Sequence, residues 1–288
     1  MKTDEVFCNT FQSLRHRLGH DRPRDGRPMW QVRQSPDSDF CRAMVGCGYL
    51  TREQMERAAR RYRLGRSRDG GVIFWQMDRL GQVYDGKIMH YRPDGHRDHE
   101  RHPDWVSSCL KRHYLKGDER LAAKIAVQHC LFGTHLLSLE CRVESLEFAT
   151  AVPSALESSA FSSAVANSKL YTLNSTLSSL NSPLPVAVVE AEKTAVIMSE
   201  HFPDCLWLAA GGLYELTAAK LFPLRGRRIV LFPDTDPDGR AYATWYRVML
   251  EAQRLLGHAV HLSPLLEQRA TPAQKQRKID IADFIFED

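Results

Sequence analysis

Three short apolar runs separated by helix-like stretches, with a fourth strand-like segment at Val260-His261-Leu262, constrain the second half of this chain most. The apolar runs are Val186–Val189, residues 206–210 and Ile229–Phe232. Between them lie helical patterns at 193–200, near 214–221 and across 239–256. Short apolar runs bounded by Pro and Gly read as buried strands of a parallel sheet. The βαβαβαβ order predicts a parallel four-stranded sheet flanked by helices on both faces.

The third run ends abruptly. Ile229–Phe232 is followed by Pro233, then by Asp234, Asp236 and Asp238 at every second position, then by Gly239 and Arg240. Open α/β sheets bind ligands at the carboxyl ends of their strands. Carboxylates gathered there offer hard oxygen ligands that suit Mg²⁺ or Mn²⁺ better than zinc. Taken alone, Asp-Pro-Asp-Gly is equally a turn. The first run tips the balance, because Val189 leads into Glu190, whose carboxylate would project at the same sheet edge. The i, i+2 spacing would put Asp234 and Asp236 on one face if strand geometry continued. Acids converging from two strand ends repel one another, and a divalent cation relieves that repulsion.

The first half reads differently. Residues 1–37 are polar and aperiodic, as expected of a flexible N-terminal arm. Thr51 with Gln54 forms a capping-box signature for a helix through Met55, Ala58, Ala59 and Tyr62. The runs at 71–78 and 83–91, with Gly81 between them, predict a hairpin, and 119–128 reads as a helix. Residues 152–183 hold ten serines and two charges, a linker composition. The expected order is an arm at 1–37, a smaller α+β subdomain at 38–151, the linker at 152–183 and the α/β domain at 184–288.

Charge is uneven. Residues 1–138 carry 25 Lys/Arg against 17 Asp/Glu, whereas 139–288 carry 14 against 18. A basic half joined to an acidic half suits a polyanion held by one part and presented to a metal site in the other. The helix at Arg57–Arg63, with Arg60 and Arg63, could follow a nucleic-acid backbone, although solvated helix faces often look the same. The seven cysteines form no CxxC pair, and His90, His96, His99 and His102 match no usual zinc spacing. No apolar run approaches a membrane span and no signal-peptide core is present, so a cytoplasmic location and no membrane partner are expected.

Residues 186–283 resemble the Toprim domain, the metal-binding module of bacterial-type primases, topoisomerases and related nucleases. The resemblance rests on Glu190 after the first strand, Gly211-Gly212 after the second, Asp234-Thr235-Asp236 after the third, and the segment Lys278–Ile285. The first half is similar to the N-terminal part of a primase core through Tyr49-Leu50-Thr51, Tyr62–Gly65, Val72-Ile73-Phe74, Asp78, Gly81, Gly86-Lys87 and Cys130–Gly133. From about residue 38 onward the chain also resembles Toprim-containing proteins of Bacteroidales genomes and mobile elements.

The resemblance implies a primase-like nucleotidyltransferase that uses Mg²⁺ or Mn²⁺, nucleotides and a single-stranded DNA template, with a replicative helicase as a possible partner. It implies Asp234 and Asp236 as metal ligands, Glu190 as a further ligand or base, and Lys87 as a phosphate contact. Lys193 and Arg240, beside the acids, are further phosphate candidates. Two departures stand out: Ala191 replaces the usual glycine, and Thr194 stands where primases often carry an aspartate. Glu192 or Asp238 could substitute for a missing ligand. The alternatives are a Toprim nuclease and a non-catalytic single-stranded DNA-binding accessory protein of a mobile element.

Overall fold

The computed structural model describes residues 35, 37–114, 129–138 and 183–286. The arm at 1–37 (apart from Ser35 and Asp37), the helix expected at 119–128 and the linker at 152–183 (apart from Pro183) lie outside the described residues. The chain divides into two compact units, residues 1–134 and 135–288.

In the first unit, α1 (Asp39–Gly46) and α2 (Arg52–Arg61) precede an antiparallel sheet. Helix α2 starts where its local chemistry dictates. The Thr51 hydroxyl accepts the Gln54 N–H and the Gln54 side chain reaches back to the Thr51 N–H, the capping box expected from sequence. The sheet runs β1 (Gly65–Arg66), β2 (Val72–Met77), β3 (Val83–Met89) and β4 (Asp104–Trp105), in that spatial order, and leads into α3 (Val106–Tyr114). The β2–β3 pair is the expected hairpin, with Phe74 opposite Lys87 and Gln76 opposite Asp85.

Every residue of β2 is buried, because both of its faces are covered. One face presents Ile73, Trp75 and Met77 to Val83, Ile88 and Val106. On the other, the Phe74 ring meets Phe40, Tyr91 and Phe132, and Phe132 stacks on Tyr62 at 5.0 Å. Aromatic pairs of this kind contribute about 0.5–1.5 kcal/mol each beyond the area they bury.

The second unit contains the parallel sheet: β5 (Val186–Val189), β6 (Leu206–Ala209), β7 (Ile229–Phe232) and β8 (Val260–Leu262), in spatial order β6-β5-β7-β8. Helix α4 (Glu192–His201) follows β5, and α5 (Arg240–Leu256) joins β7 to β8. Short helices α6 (Leu265–Arg269), α7 (Pro272–Arg277) and α8 (Ile281–Phe286) complete it. Trp207 of β6 and Trp245 of α5 are fully buried, each with its indole N–H donated to a backbone carbonyl, Phe202 and Leu213 respectively.

One element departs from expectation. The stretch at 214–221 is not an α-helix; a tighter 3₁₀ helix forms further along, over Ala219–Leu224. Gly211 and Gly212 both take positive φ, which delays helix entry, and Pro223 inside the stretch cannot sustain an α-helical ladder.

Candidate functional site at the carboxyl edge of the parallel sheet

The order β6-β5-β7-β8 contains a reversal. From β5 the chain moves outward to β6, then returns to place β7 on the other side of β5 and continues to β8. The crevice between the carboxyl ends of β5 and β7 is therefore the topological switch point, where open α/β sheets take ligands. Glu190 leaves β5 at this crevice and Asp234 leaves β7 there. The Asp234 N–H donates to Glu190 Oε1 at 3.3 Å.

Glu190 is buried, at 8% exposure. Burial pushes its carboxyl up to about 7; the Asp234 N–H opposes this, and the charges of Asp236 and Asp280 add to it. Asp234 is held well above the ordinary carboxylate range by desolvation and by the charges of Glu190, Asp280 and Asp283, with Lys193 acting against them. Asp280 is also raised, by burial and by Asp283, while Lys193 and hydrogen bonds from Thr194 and the Asp283 N–H pull it down. Four carboxylates thus crowd the crevice, and Lys193 Nζ lies 3.6 Å from Asp283 Oδ1.

Asp236 has another environment. Strand pairing ends at Phe232, so the i, i+2 relation with Asp234 does not continue as a strand face. Asp236 turns to the start of α5: its Oδ1 accepts the N–H groups of Asp238 (2.9 Å) and Arg240 (3.0 Å), and Oδ2 accepts that of Ala241 (2.6 Å). Burial alone would raise this carboxyl, but the three amides hold it below its usual range. Gly239, at φ 64°, makes the tight entry that brings those amides together. Asp236 thereby satisfies amides that a helix start leaves unbonded.

The remaining sequence candidates are placed as follows. Asp238 is exposed, with Arg240 4.0 Å away. Glu192 is buried in the first turn of α4. Lys87, Arg60 and Arg63 belong to the other unit. There Lys87 is buried within β3, Arg60 is exposed beside Glu56, and Arg63 is half-buried with φ 53°. His90 is buried between Asp39, 3.0 Å from Nδ1, and Asp69, 3.1 Å from Nε2, whereas His96, His99 and His102 are exposed.

Asp280 and Asp283 join the crevice from the far end of the chain. The resemblance of Lys278–Ile285 to a Toprim closing segment points to their neighbourhood, but no local pattern marks them as partners of Glu190. Thr235 secures the approach, donating its N–H to the Ile279 carbonyl at 3.0 Å.

The donor set suits a hard divalent cation. It consists of carboxylate oxygens in a desolvated crevice with an excess of negative charge, as Mg²⁺ or Mn²⁺ prefer. Among the described residues, no three His, Cys, Asp or Glu side chains already stand as a metal shell.

No helix among the described residues is long and apolar enough to cross a membrane. No curated protein and no solved structure matches the chain. A family model described as a domain of unknown function, DUF6371, matches residues 38–159 and 147–235, well over half of the sequence and including Glu190 and Asp234. The chain belongs to the DUF6371 family.

Proposed function

We propose that this protein is a Toprim-like, primase-type enzyme that carries out metal-dependent nucleotidyl or phosphoryl transfer on a nucleic-acid template. The observation that carries this reading is the pairing of Glu190 and Asp234 at the switch point of a parallel sheet, with Asp280 beside them. Buried acids so arranged cost stability unless they serve a ligand.

Glu190, Asp234 and Asp280 would hold Mg²⁺ or Mn²⁺, which when bound polarises a phosphate oxygen and eases deprotonation of the attacking hydroxyl. Where Glu190 stays off the cation, its carboxyl, which burial pushes up to about 7, is suited to take and return a proton. Lys193, within the crevice, and Arg240, at its rim, offset phosphate charge. Asp236 holds the backbone N–H of Arg240 at the start of α5.

The test incubates the protein with Mg²⁺ or Mn²⁺, single-stranded DNA and labelled nucleotides. Oligonucleotide synthesis lost in Glu190→Gln and Asp234→Asn supports the primase reading. Template degradation lost in the same variants assigns a nuclease instead. Strand binding with neither product, unchanged in both variants, overturns an enzymatic role and leaves an accessory binding protein.

A further inference from the structure

Helix α5 carries its arginines in a regular row. Arg240, Arg247 and Arg254 recur at seven-residue intervals, and all three are exposed. Seven residues make nearly two turns, so the three lie along one stripe about 10 Å apart. The opposite stripe, Ala241, Trp245, Met249, Ala252 and Leu256, is buried, which fixes the arginine stripe toward solvent. The one acid of the helix, the exposed Glu251, stands on the same stripe between Arg247 and Arg254, four residues after the one and three before the other, and offsets part of their charge. The exposed Asp238 near Arg240 neutralises little of this charge, because exposed pairs at such separations interact weakly.

Two exposed tyrosines flank the helix, Tyr246 about 100° round it from the arginine stripe and Tyr214 on the neighbouring segment. Tyr246 precedes Arg247 and is 45% exposed, and Tyr214 is 69% exposed. Trp245 donates its indole N–H to the Leu213 carbonyl at 3.0 Å, which pins the segment carrying Tyr214 to the helical turn that carries Tyr246. The helix starts beside the acidic crevice: the Asp236 carboxylate accepts the N–H groups of Arg240 and Ala241, and its charge bears on Glu190.

We propose that the exposed face of α5 is a docking track along which Arg240, Arg247 and Arg254 bind the sugar–phosphate backbone of a single-stranded nucleic acid, with Tyr246 and Tyr214 stacking on its bases, leading the strand to the Glu190 crevice. The row of cations complements a polyanion whose charges repeat along a line. The tyrosines select a single strand, since only unpaired bases offer their faces for stacking. This track deepens the proposed function and rests on that reading for its substrate.

The test uses the full chain and short fluorescent oligonucleotides, one DNA and one RNA, with binding followed by anisotropy across a salt series. Replacing all three arginines with glutamine is expected to weaken binding at least roughly tenfold and to reduce the log–log salt slope by about 2, at about 0.7 per lost contact to a single strand. Tyr214→Ser with Tyr246→Ser should weaken binding while leaving that slope unchanged. Because Arg240 also borders the crevice, the pair Arg247→Gln and Arg254→Gln repeats the measurement at a distance from the acids. The DNA and RNA arms show which strand is preferred.

Absence of strand binding, unchanged affinity and slope in the arginine variants, equally tight binding of a duplex, or equal competition by polyglutamate each overturns the track. Glu190→Gln separates the two ideas. A wild-type protein that binds strands through α5 but yields no product removes the catalytic reading and keeps the track. Catalysis that needs Glu190 but not the arginines does the reverse.

Discussion

Thr194 donates its hydroxyl to the carboxylate of Asp280, a buried contact that ties the first turn of α4 to the start of α8 across 86 positions of sequence. Asp280 and Asp283 also exchange reciprocal bonds at that start, each N–H donated to the other's carboxylate. Thr194 thus holds a carboxylate supplied from elsewhere in the chain.

Thr194→Val keeps the volume and removes the hydroxyl. We expect a loss of about 1–3 kcal/mol, because the desolvated Asp280 oxygen loses a donor. Thr194→Ser should recover most of it. Urea denaturation of the three proteins checks this, and equal stability of the valine variant would remove Thr194 as the tie.

The crowded acids make stability depend on pH. Glu190 is raised from an ordinary 4.5 to about 7, so between these values the folded protein binds more protons than the unfolded chain. Stability of the metal-free protein should then fall as pH rises across that window, by on the order of 3 kcal/mol. Asp234 and Asp280, raised as well, act in the same direction. Glu190→Gln should flatten the curve. Mg²⁺ at a hundredfold excess over its dissociation constant should restore about 2.7 kcal/mol near neutrality. Thermal melts with and without Mg²⁺ measure both effects.

Asp236 and Asp238 should separate cleanly. Asp236→Ala removes the acceptor of the Asp238 N–H and of two α5 amides, Arg240 and Ala241, and should cost about 1–2 kcal/mol, as loss of a helix cap does. Asp238→Ala, at an exposed side chain, should fall within about 0.5 kcal/mol of wild type. Chemical denaturation reports both, and equal costs would show that Asp236 does not cap the helix.

In the first unit, Asp85 is fully buried. It accepts the Ser107 N–H at 3.0 Å and the Ser107 hydroxyl at 2.6 Å, and His129 Nε2 lies 3.2 Å from it. Asp85→Ala strands these groups in the interior and should cost about 3 kcal/mol. Hydrogen exchange at the Ser107 amide should quicken with the loss, and unchanged protection would contradict the assignment.

The sequence by itself determined the parallel strands, the capped start of α2, the β2–β3 hairpin and the long helix after Gly239. Each is written in residues close enough to act on one another before the chain folds. Period, β-branched content and a stop signal fall within a few positions, so β5 and β7 are legible as buried strands and Thr51 as a cap. Local pattern fails at 214–221, where helix-compatible residues yield to two positive-φ glycines and a proline.

Tertiary structure alone decided how the acids divide. Asp234 and Asp236 are near-identical in sequence context, yet Asp234 gives its backbone N–H to Glu190, 44 positions away, and its carboxyl is raised by that neighbour's charge, whereas the Asp236 carboxylate caps α5. Asp280 enters the crevice because β7 and the segment before α8 dock through Thr235 and Ile279. Charge repulsion, desolvation and amide donation act through space over a few ångströms, so which carboxylate is raised and which is lowered is set only once distant segments meet.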